Sequence, residues 1–569
     1  MLDESSESEA ECNTHPGSSS EEEDEGSELG SSGASSDDSD DEEVAATATE
    51  SADDSFTWTE KPAATQKRFA FSGAPGRKLP VRDTSDALCY FRLFLTEDIL
   101  NMMVTESNRY AHQLQSKADV KEKSRLKAWK DTDIDELLVF IALTLHHGII
   151  QKPHLDMYWS KKPLLATPVV GSVMARNRYQ LLLRCLHFVD NDTLSQTQYS
   201  NSSEKSFRKI QPFYDSLVKQ FRTAYVPKQD IAIDESLMLW KGRLSMKQFN
   251  RLKRARFGVK TFELCESGSS YIWNSLVYLG LATQLDISPD TLKSSQIVLT
   301  LIKDLLQQGY CVYMDNYYTS PTLFRHLSVQ GTDAVGTLRL IRKNVPNDIK
   351  KQIPRGSVVS RYSGRLLALK WKDKKDVSML STFHNDAVCT TVSKRGSQQQ
   401  KPQVIADYNN HMGAVDQSDQ MLVAYPSERK RHRVWYKKLF RHLVNQSVLN
   451  AYVLFSKDNP GRMTHLQFRI SLIEQIVSFH MQAERNQRTG PRSRDEIGDV
   501  VRLTGRHFPR LIPATGKKTG PTRKCEVCCH RSRENGKKAR TESRYYCQEC
   551  DVALCVTPCF EVYHTERNY

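Results

Sequence analysis

The sequence lacks a long hydrophobic run, and its first 60 residues lack basic residues. A membrane-spanning helix needs about 20 apolar residues. The best candidate among the 569 residues, the segment 137–145, is short and bordered by acids and histidines, so we predict a buried helix there. The chain opens with acids and serines, without a basic segment followed by an apolar one. We therefore expect neither secretion nor membrane insertion.

Basic residues are missing from the start of the chain and abundant afterwards. Residues 1–60 hold 21 Asp and Glu and no Lys or Arg, so the remainder sets 80 basic residues against 47 acidic ones, a net charge of +33. The serine-rich acidic start cannot bury enough apolar surface to offset its ordering entropy, and we predict that residues 1–64 are disordered. A body this basic favours a polyanionic partner, nucleic acid first. The alternative is a solvated, merely soluble surface.

Cysteine is sparse outside the C-terminus. Six of the 13 cysteines are scattered singly, and seven fall between Cys525 and Cys559, which favours a reducing compartment and one metal module over a disulfide scaffold. Two C-x2-C pairs with trailing Cys and His are typical of zinc sites. The predicted zinc ligands are Cys525, Cys528, Cys547, Cys550, Cys555, Cys559 and His564. Seven ligands are one short of two sites, so either Cys529 or His530 supplies the eighth, or one of the sites is incomplete.

The rest of the chain alternates between helical and strand-like patterns. Residues 83–228 have helical periodicity, and short apolar runs then follow in the order β-β-β-α-β-α-β up to about residue 338. Residues 343–402 predict a β-rich insertion. Long helical patterns follow at 435–455 and 466–481, and prolines among many Lys and Arg predict a basic linker over 485–523.

Four aspartates in this pattern suggest a magnesium site. Asp234 and Asp315 each follow a short apolar strand, whereas Asp416 and Asp419 are three residues apart in a predicted helix and would share a face. Mg²⁺ prefers oxygen ligands, and two such ions about 4 Å apart stabilise the attacking and leaving oxygens of a phosphoryl transfer. Taken singly, an Asp at a strand end is more often a turn residue or a helix cap. The order of the acids nevertheless favours the ribonuclease H-like pattern of polynucleotidyl transferases.

Two basic segments are candidate nucleic-acid contacts. Arg429, Lys430, Arg431 and Arg433 precede Trp435, so the cations could hold phosphates while the ring stacks on an unpaired base. The alternative is a core tryptophan beside a solvated basic helix face. A second run predicts a phosphate-contacting loop and comprises Lys247, Arg251, Lys253, Arg254 and Arg256. Either run could direct nuclear import, with the first the better candidate, and we expect a nuclear protein.

Three segments resemble those of piggyBac-family transposases. They are Ile233 to Arg243, Tyr313 to Tyr318 and Asp407 to Met421, and shorter supporting stretches include Cys185 to Asn191 and Gly505 to Pro509. The similarity runs from about residue 65 to the end of the chain. It implies a dimeric DDE/D DNA transposase with Asp234, Asp315 and Asp416 as its catalytic triad and Asp419 as an additional metal ligand. Such enzymes use two Mg²⁺ ions per active site, bind double-stranded DNA with terminal inverted repeats, form end hairpins and join at TTAA.

The resemblance also implies the domain plan. We expect an α/β protein: a ribonuclease H-like core with a β-rich insertion, helical dimerisation and DNA-binding segments, and a C-terminal cross-brace domain holding one or two Zn²⁺ ions. The predicted boundaries are 1–64 (disordered), 65–228 and 426–484 (helical), 229–342 and 403–425 (catalytic), 343–402 (insertion), 485–523 (basic linker) and 524–569 (zinc domain).

Two other functions are compatible with the same residues. One is a catalytically idle, sequence-specific DNA-binding protein derived from a transposase. The other is a zinc-dependent protein-interaction or ubiquitin-ligase factor, although the basic residues flanking the cysteines favour DNA.

Overall fold

The structure of the chain is a computed structural model. It describes residues 56–566 except 64–65, 118–121, 123, 252–255, 286–291, 393–395, 397, 429–433, 488–506, 515–519, 531–540 and 549. The acidic segment predicted to be disordered lies almost wholly outside this range. No helix in the described part is long and apolar enough to cross a membrane.

Helices dominate the region before residue 225 and return after residue 403. In chain order the α-helices of the described residues are α1 (Ala87–Phe91), α2 (Glu97–Gln115), α3 (Ile134–Ile149), α4 (Pro168–Val173), α5 (Arg176–Cys185), α6 (Asn191–Gln196), α7 (Ser202–Arg208), α8 (Gln211–Ala224), α9 (Lys293–Ile302), α10 (Pro321–Val329), α11 (Asn347–Lys350), α12 (Gln403–His411), α13 (Ala414–Ala424), α14 (Trp435–Asp458), α15 (His465–Gln487), α16 (Glu526–His530) and α17 (Cys559–Thr565).

Helix α3 shows how the local sequence sets these elements. The Asp133 carboxylate accepts a hydrogen bond from the Glu136 amide at 2.8 Å, which caps the first turn. Residues 137–145 are apolar on nearly every side and buried throughout, as the sequence predicts.

Strands fill the middle of the chain and recur near its end. They are β1 (Gly76–Arg77), β2 (Tyr225–Val226), β3 (Asp230–Leu239), β4 (Lys247–Phe249), β5 (Phe257–Glu266), β6 (Ile272–Val277), β7 (Cys311–Met314), β8 (Asp333–Thr337), β9 (Val358–Ser363), β10 (Leu366–Lys372), β11 (Asp376–Ser381), β12 (Val388–Val392), β13 (Gln398–Pro402), β14 (Pro509–Leu511), β15 (Arg523–Lys524), β16 (Glu542–Ser543), β17 (Tyr545–Cys547) and β18 (Val552–Ala553).

A nine-stranded mixed sheet forms the centre of the molecule. Its order is β4-β5-β3-β7-β8-β11-β10-β9, and β6 also pairs with β5. Strands β3, β7 and β8 are parallel, whereas β5 runs antiparallel to β3 and β6 antiparallel to β5. The helices α9 and α10 follow β6 and β7, which matches the predicted order of strands and helices except for the additional strand β4 between β3 and β5. The alternating segments within 343–402 are strands as predicted, but β9 to β11 extend the central sheet through the β8–β11 pair.

Helix α14 attaches the helical region to this sheet. The Asn450 side chain accepts from the Ile272 amide at 2.9 Å and donates to the Ile272 carbonyl at 2.8 Å, so it continues the hydrogen bonding of β6. Its buried cations are also satisfied, since Lys438 donates to the Leu239 carbonyl at 2.6 Å. One apolar core therefore runs from the helices into the sheet, and a second lies within the C-terminal module.

Candidate active site and metal module

Asp234 and Asp315 are neighbours on adjacent parallel strands. Ile233 of β3 is in register with Met314 of β7, and the two aspartates are the next residues along each chain. Neighbouring strands are about 4.8 Å apart, so the two aspartates lie close together where the parallel β3–β7 pairing ends. Asp234 does not end its strand as predicted, because β3 runs on to Leu239 through its pairing with β5. The Tyr317 amide donates to Asp315 at 2.9 Å, which fixes that carboxylate in the turn after β7.

The surroundings of Asp315 disfavour an isolated negative charge. Burial raises its pKa to about 6, and the nearby carboxylate of Glu235 contributes in the same direction. Lys260 contacts Glu235 at 3.2 Å and supplies part of the compensating charge. A cation between these carboxylates would stabilise their ionised form.

Helix α13 brings the second pair of aspartates to the same face of the sheet. The Ser236 hydroxyl donates to the Asp419 carboxylate at 2.7 Å, and Ser236 shares a face of β3 with Asp234 because the two are two residues apart. Asp416 lies in the first turn of α13, as the sequence predicts. Burial raises the pKa of Tyr408 in α12, and the charges of all three aspartates predicted as catalytic raise it further.

The four aspartates line one region but do not converge on a single point. In the described part of the chain, two groups of at least three Cys, His, Asp or Glu side chains have ligand atoms that all lie within 4.8 Å of one another, and both groups are in the C-terminal module. Carboxylates from two strands and a helix are nevertheless the donor type that Mg²⁺ prefers. The residues fit the metal by chemistry, while their coordination geometry is not formed.

A charged network next to these acids was missed by the sequence reasoning. Tyr313, two residues before Asp315, donates to Asp407 of α12 at 2.8 Å, and its ring stacks on His411 at 4.7 Å between centroids. His411 Nδ1 lies 3.2 Å from the Asp407 carboxylate, and the Arg68 guanidinium donates to the Tyr313 oxygen at 2.6 Å. The network holds α12, and with it the start of α13, against β7. The four-residue spacing of Asp407 and His411 was the available signal.

The predicted DNA-contacting residues are only partly described. Lys253, Arg254, Arg429, Lys430, Arg431 and Arg433 lie outside the described residues. Arg256 is exposed immediately before β5, and Lys247, predicted to lie in a loop, belongs to β4. Trp435 begins α14 half-buried, with its ring 6.0 Å from that of Tyr436, so it is neither a free platform nor a fully buried core residue.

The C-terminal module contains two complete sets of four metal-binding side chains. One set is Cys525, Cys528, Cys555 and Cys559, and the other is His507, Cys547, Cys550 and His564. The two sets alternate along the chain, as a cross-brace requires. The seven predicted ligands all belong to these sets, and the eighth member is His507, whereas Cys529 and His530, the alternatives raised from the sequence, belong to neither set.

The distances within both sets fit a tetrahedral ion. Zinc bonds of about 2.3 Å to sulfur and 2.0–2.1 Å to nitrogen place sulfurs about 3.8 Å apart and sulfur and nitrogen about 3.6 Å apart. Cys528 Sγ lies 3.5 Å from Cys559 Sγ, and Cys550 Sγ lies 3.6 Å from His564 Nε2. His507 Nδ1 lies 3.3 Å from Cys547 Sγ. His564 uses its other nitrogen to contact the Phe560 carbonyl at 2.7 Å, which orients the ring.

Two family models match this chain. The model described as transposase IS4 matches residues 86–452, which include all four aspartates. The chain is a piggyBac-type member of this transposase family. The model described as a DDE_Tnp_1-like zinc finger matches residues 505–565 and includes His507 and the seven predicted ligands. The resemblance inferred from the sequence motifs is thereby confirmed.

Curated relatives of this transposase-family chain include human proteins. PiggyBac transposable element-derived protein 3 of Homo sapiens is 25% identical over 497 residues, which cover 83% of this chain and 75% of the relative. PiggyBac transposable element-derived protein 5 of Homo sapiens is 22% identical over 432 residues, covering 72% of this chain and 79% of the relative. A cryo-EM structure of the piggyBac transposase synaptic complex with hairpin DNA matches with a TM-score of 0.65 and 24% identity, over 86% of this chain and all of that one. The match shows a shared fold.

Proposed function

We propose that this protein is a piggyBac-type DNA transposase, or a domesticated derivative of one, that cuts and joins DNA at the sheet edge carrying Asp234 and Asp315. The observation that carries the proposal is the register of β3 and β7, which makes these two acids neighbours, with α13 docked on the same face. Asp416 is the third catalytic residue, and Asp419 is an additional ligand. The strand order β6-β5-β3-β7-β8, with the last three parallel, supports a ribonuclease H-like core.

The reaction is the attack of a hydroxyl on a phosphodiester, first by water and then by a DNA 3′-OH. No protein nucleophile is needed, so the chain's task is to hold the phosphate and the hydroxyl in line. Asp234, Asp315, Asp416 and Asp419 would hold two Mg²⁺ ions, which supply charge stabilisation at the attacking and leaving oxygens. The Asp407–His411 pair positions α13 for this purpose, through its contacts with Tyr313.

The substrate is double-stranded DNA with terminal inverted repeats, whose ends form hairpins before they are joined to TTAA target sites. The protein acts in the nucleus as a homodimer. The net charge of +33 outside the acidic start supports a polyanionic partner. The related solved structure is named as a synaptic complex with hairpin DNA, which supports the same assembly here.

The C-terminal module binds two Zn²⁺ ions, one in each set of four ligands, and contacts DNA at the transposon ends. Its ligand distances support two ions, and the exposed Arg523 and Lys524 in β15 support contact with phosphates. Because a preformed site rarely exists in the unfolded chain, zinc binding stabilises the folded module.

Strand transfer tests the proposal directly. The purified protein is incubated with supercoiled plasmid carrying TTAA sites and an oligonucleotide ending in a 3′-OH, with Mg²⁺ or Mn²⁺. Wild-type protein and the control Asp373→Asn, in the β10–β11 turn, should give joined products at TTAA. Asp315→Asn should give none while melting at the wild-type temperature. Equal products from Asp315→Asn would place the chemistry elsewhere.

A catalytically idle DNA-binding protein is the second candidate. It is favoured by the curated relatives, which include human proteins named as piggyBac transposable element-derived. Tight, salt-sensitive DNA binding by wild type and Asp315→Asn alike, with no product from either on native end sequences, would select it.

A further inference from the structure

The strand that carries Asp234 continues beyond its parallel pairing with β7 as part of a ribbon, which comprises residues 236–251 and 256–262. Strand β7 ends at Met314, whereas β3 runs on to Leu239, paired with Gly258 of β5. Strand β4 completes the ribbon by pairing Phe249 with Phe257. Asp234 is opposite Glu263, so six residues of β5, or about 20 Å, separate the acid from Phe257.

The ribbon is basic throughout. Residues 236–262 contain eight Lys and Arg and no Asp or Glu. Among the described basic residues, Arg251 and Arg256 are exposed, Arg251 just after β4 and Arg256 just before β5. The Asn250 amide donates a hydrogen bond of 2.8 Å to the Arg256 carbonyl, which holds the two strand ends together. Such a positively charged surface attracts the phosphates of a nucleic acid.

Two phenylalanines at this tip are exposed to solvent. Phe249 is 56% exposed and Phe257 is 39% exposed, and their ring centroids lie 4.7 Å apart. The Lys247 ammonium lies 5.6 Å from the Phe257 centroid. Large aromatic side chains normally bury their area, so two adjacent exposed rings within a basic surface indicate a contact surface.

The rings face the same side of the sheet as the aspartates. Residues directly opposite in an antiparallel pair share a face, and so do residues two apart along one strand. Glu263 is opposite Asp234, and Phe257 is six residues from Glu263, so Phe257 and its partner Phe249 share the face of Asp234. DNA lying across this face at the sheet edge would meet the rings about six nucleotides from the scissile phosphate, at about 3.4 Å per nucleotide.

We propose that Phe249 and Phe257 form a stacking platform for a nucleobase in the DNA flanking the cut, with the exposed Arg251 and Arg256 holding the adjoining phosphates. The proposal rests on the proposed function for the position of the DNA. Aromatic rings beside cations are the means by which proteins hold an unpaired or unstacked base without reading its sequence. Stacking depends on the base, whereas phosphate contacts persist without it.

The test compares DNA with and without bases at the predicted distance. The affinity of full-length Asp315→Asn protein for a labelled DNA end is measured by fluorescence anisotropy. It is compared with the affinity for a matched DNA that carries abasic positions five to seven nucleotides from the cut. Protein with both rings intact should bind the abasic DNA about tenfold more weakly. Adding Phe249→Ala and Phe257→Ala should give the weak affinity on both DNAs. Phe257→Tyr, which keeps an aromatic ring at this position, should retain the difference in affinity between intact and abasic DNA. The control Phe479→Ala, which removes a ring 60% exposed on α15, should leave that difference unchanged.

The outcome separates this proposal from the catalytic one, because binding is read in a variant expected to lack catalysis. An abasic penalty that disappears with the two rings supports the platform even if no strand transfer is found. Equal binding of both DNAs by protein with intact rings overturns it, and so does an abasic penalty that persists after both rings are removed. Matching melting temperatures for all variants exclude misfolding.

Discussion

Replacing His507 by alanine should remove one of two zinc ions from the C-terminal module and leave the other in place. His507 belongs to the set with Cys547, Cys550 and His564, and shares no ligand with the set of four cysteines. Structural zinc contributes about 10–16 kcal/mol in finger peptides. A quarter of the lower value, about 2.5 kcal/mol, corresponds to a loss of about 70-fold in affinity at that site.

The measurement is the zinc content of purified protein by mass spectrometry after dialysis against a chelator that leaves the wild type fully loaded. Wild type should retain two ions and His507→Ala one. His507→Cys should retain two, because a thiolate can replace an imidazole nitrogen in a tetrahedral site. Cys529→Ser and His530→Ala serve as matched controls and should also retain two. Two ions in His507→Ala, or one in His530→Ala, would refute the ligand sets.

Three other predictions follow from contacts around the sheet. Ser236→Ala removes the 2.7 Å hydrogen bond to Asp419, and a hydrogen bond to a charged acceptor is worth about 1.5–3 kcal/mol. The change should slow strand transfer at least tenfold. In protein that already carries Asp419→Ala, adding Ser236→Ala should cause no further loss. The hydrogen bond to Asp407 raises the pKa of His411, so its stabilising effect is present below about pH 6.5 and is lost as pH rises through the raised value. The melting-temperature difference between wild type and His411→Asn should therefore be larger at pH 6 than at pH 9, and an unchanged difference would contradict the pairing. Gly258→Ala should lower the free energy of unfolding by about 1–3 kcal/mol in urea titrations, because the added Cβ would lie within 3.0 Å of the Met238 carbonyl oxygen of β3. An alanine variant as stable as the wild type would show that the two strands separate easily to make room.

Elements with strong local patterns could be predicted from the sequence. The apolar run before Asp315 is strand β7, and the predicted helix around Asp416 is α13, because strand and helix periodicities depend on neighbouring residues. Strand β4 was missed because it has only three residues, too few for an alternating pattern, and lies in a basic run that suggested a phosphate-contacting loop. The joining of β9 to β11 with the central sheet was missed because the β8–β11 pairing joins segments distant in sequence, which no local pattern encodes.

The sequence by itself determined the family, and it predicted the residue types of both candidate sites and seven of the eight side chains in the two C-terminal sets. Those conclusions depend on motifs whose chemistry is local, such as two cysteines two residues apart. Only the tertiary structure decided which side chains meet. It joined His507 to cysteines 40 and more residues away, and it brought Ser236 to Asp419 across 183 positions. The physical reason is that such contacts depend on the path of the chain between the residues, which no local pattern encodes.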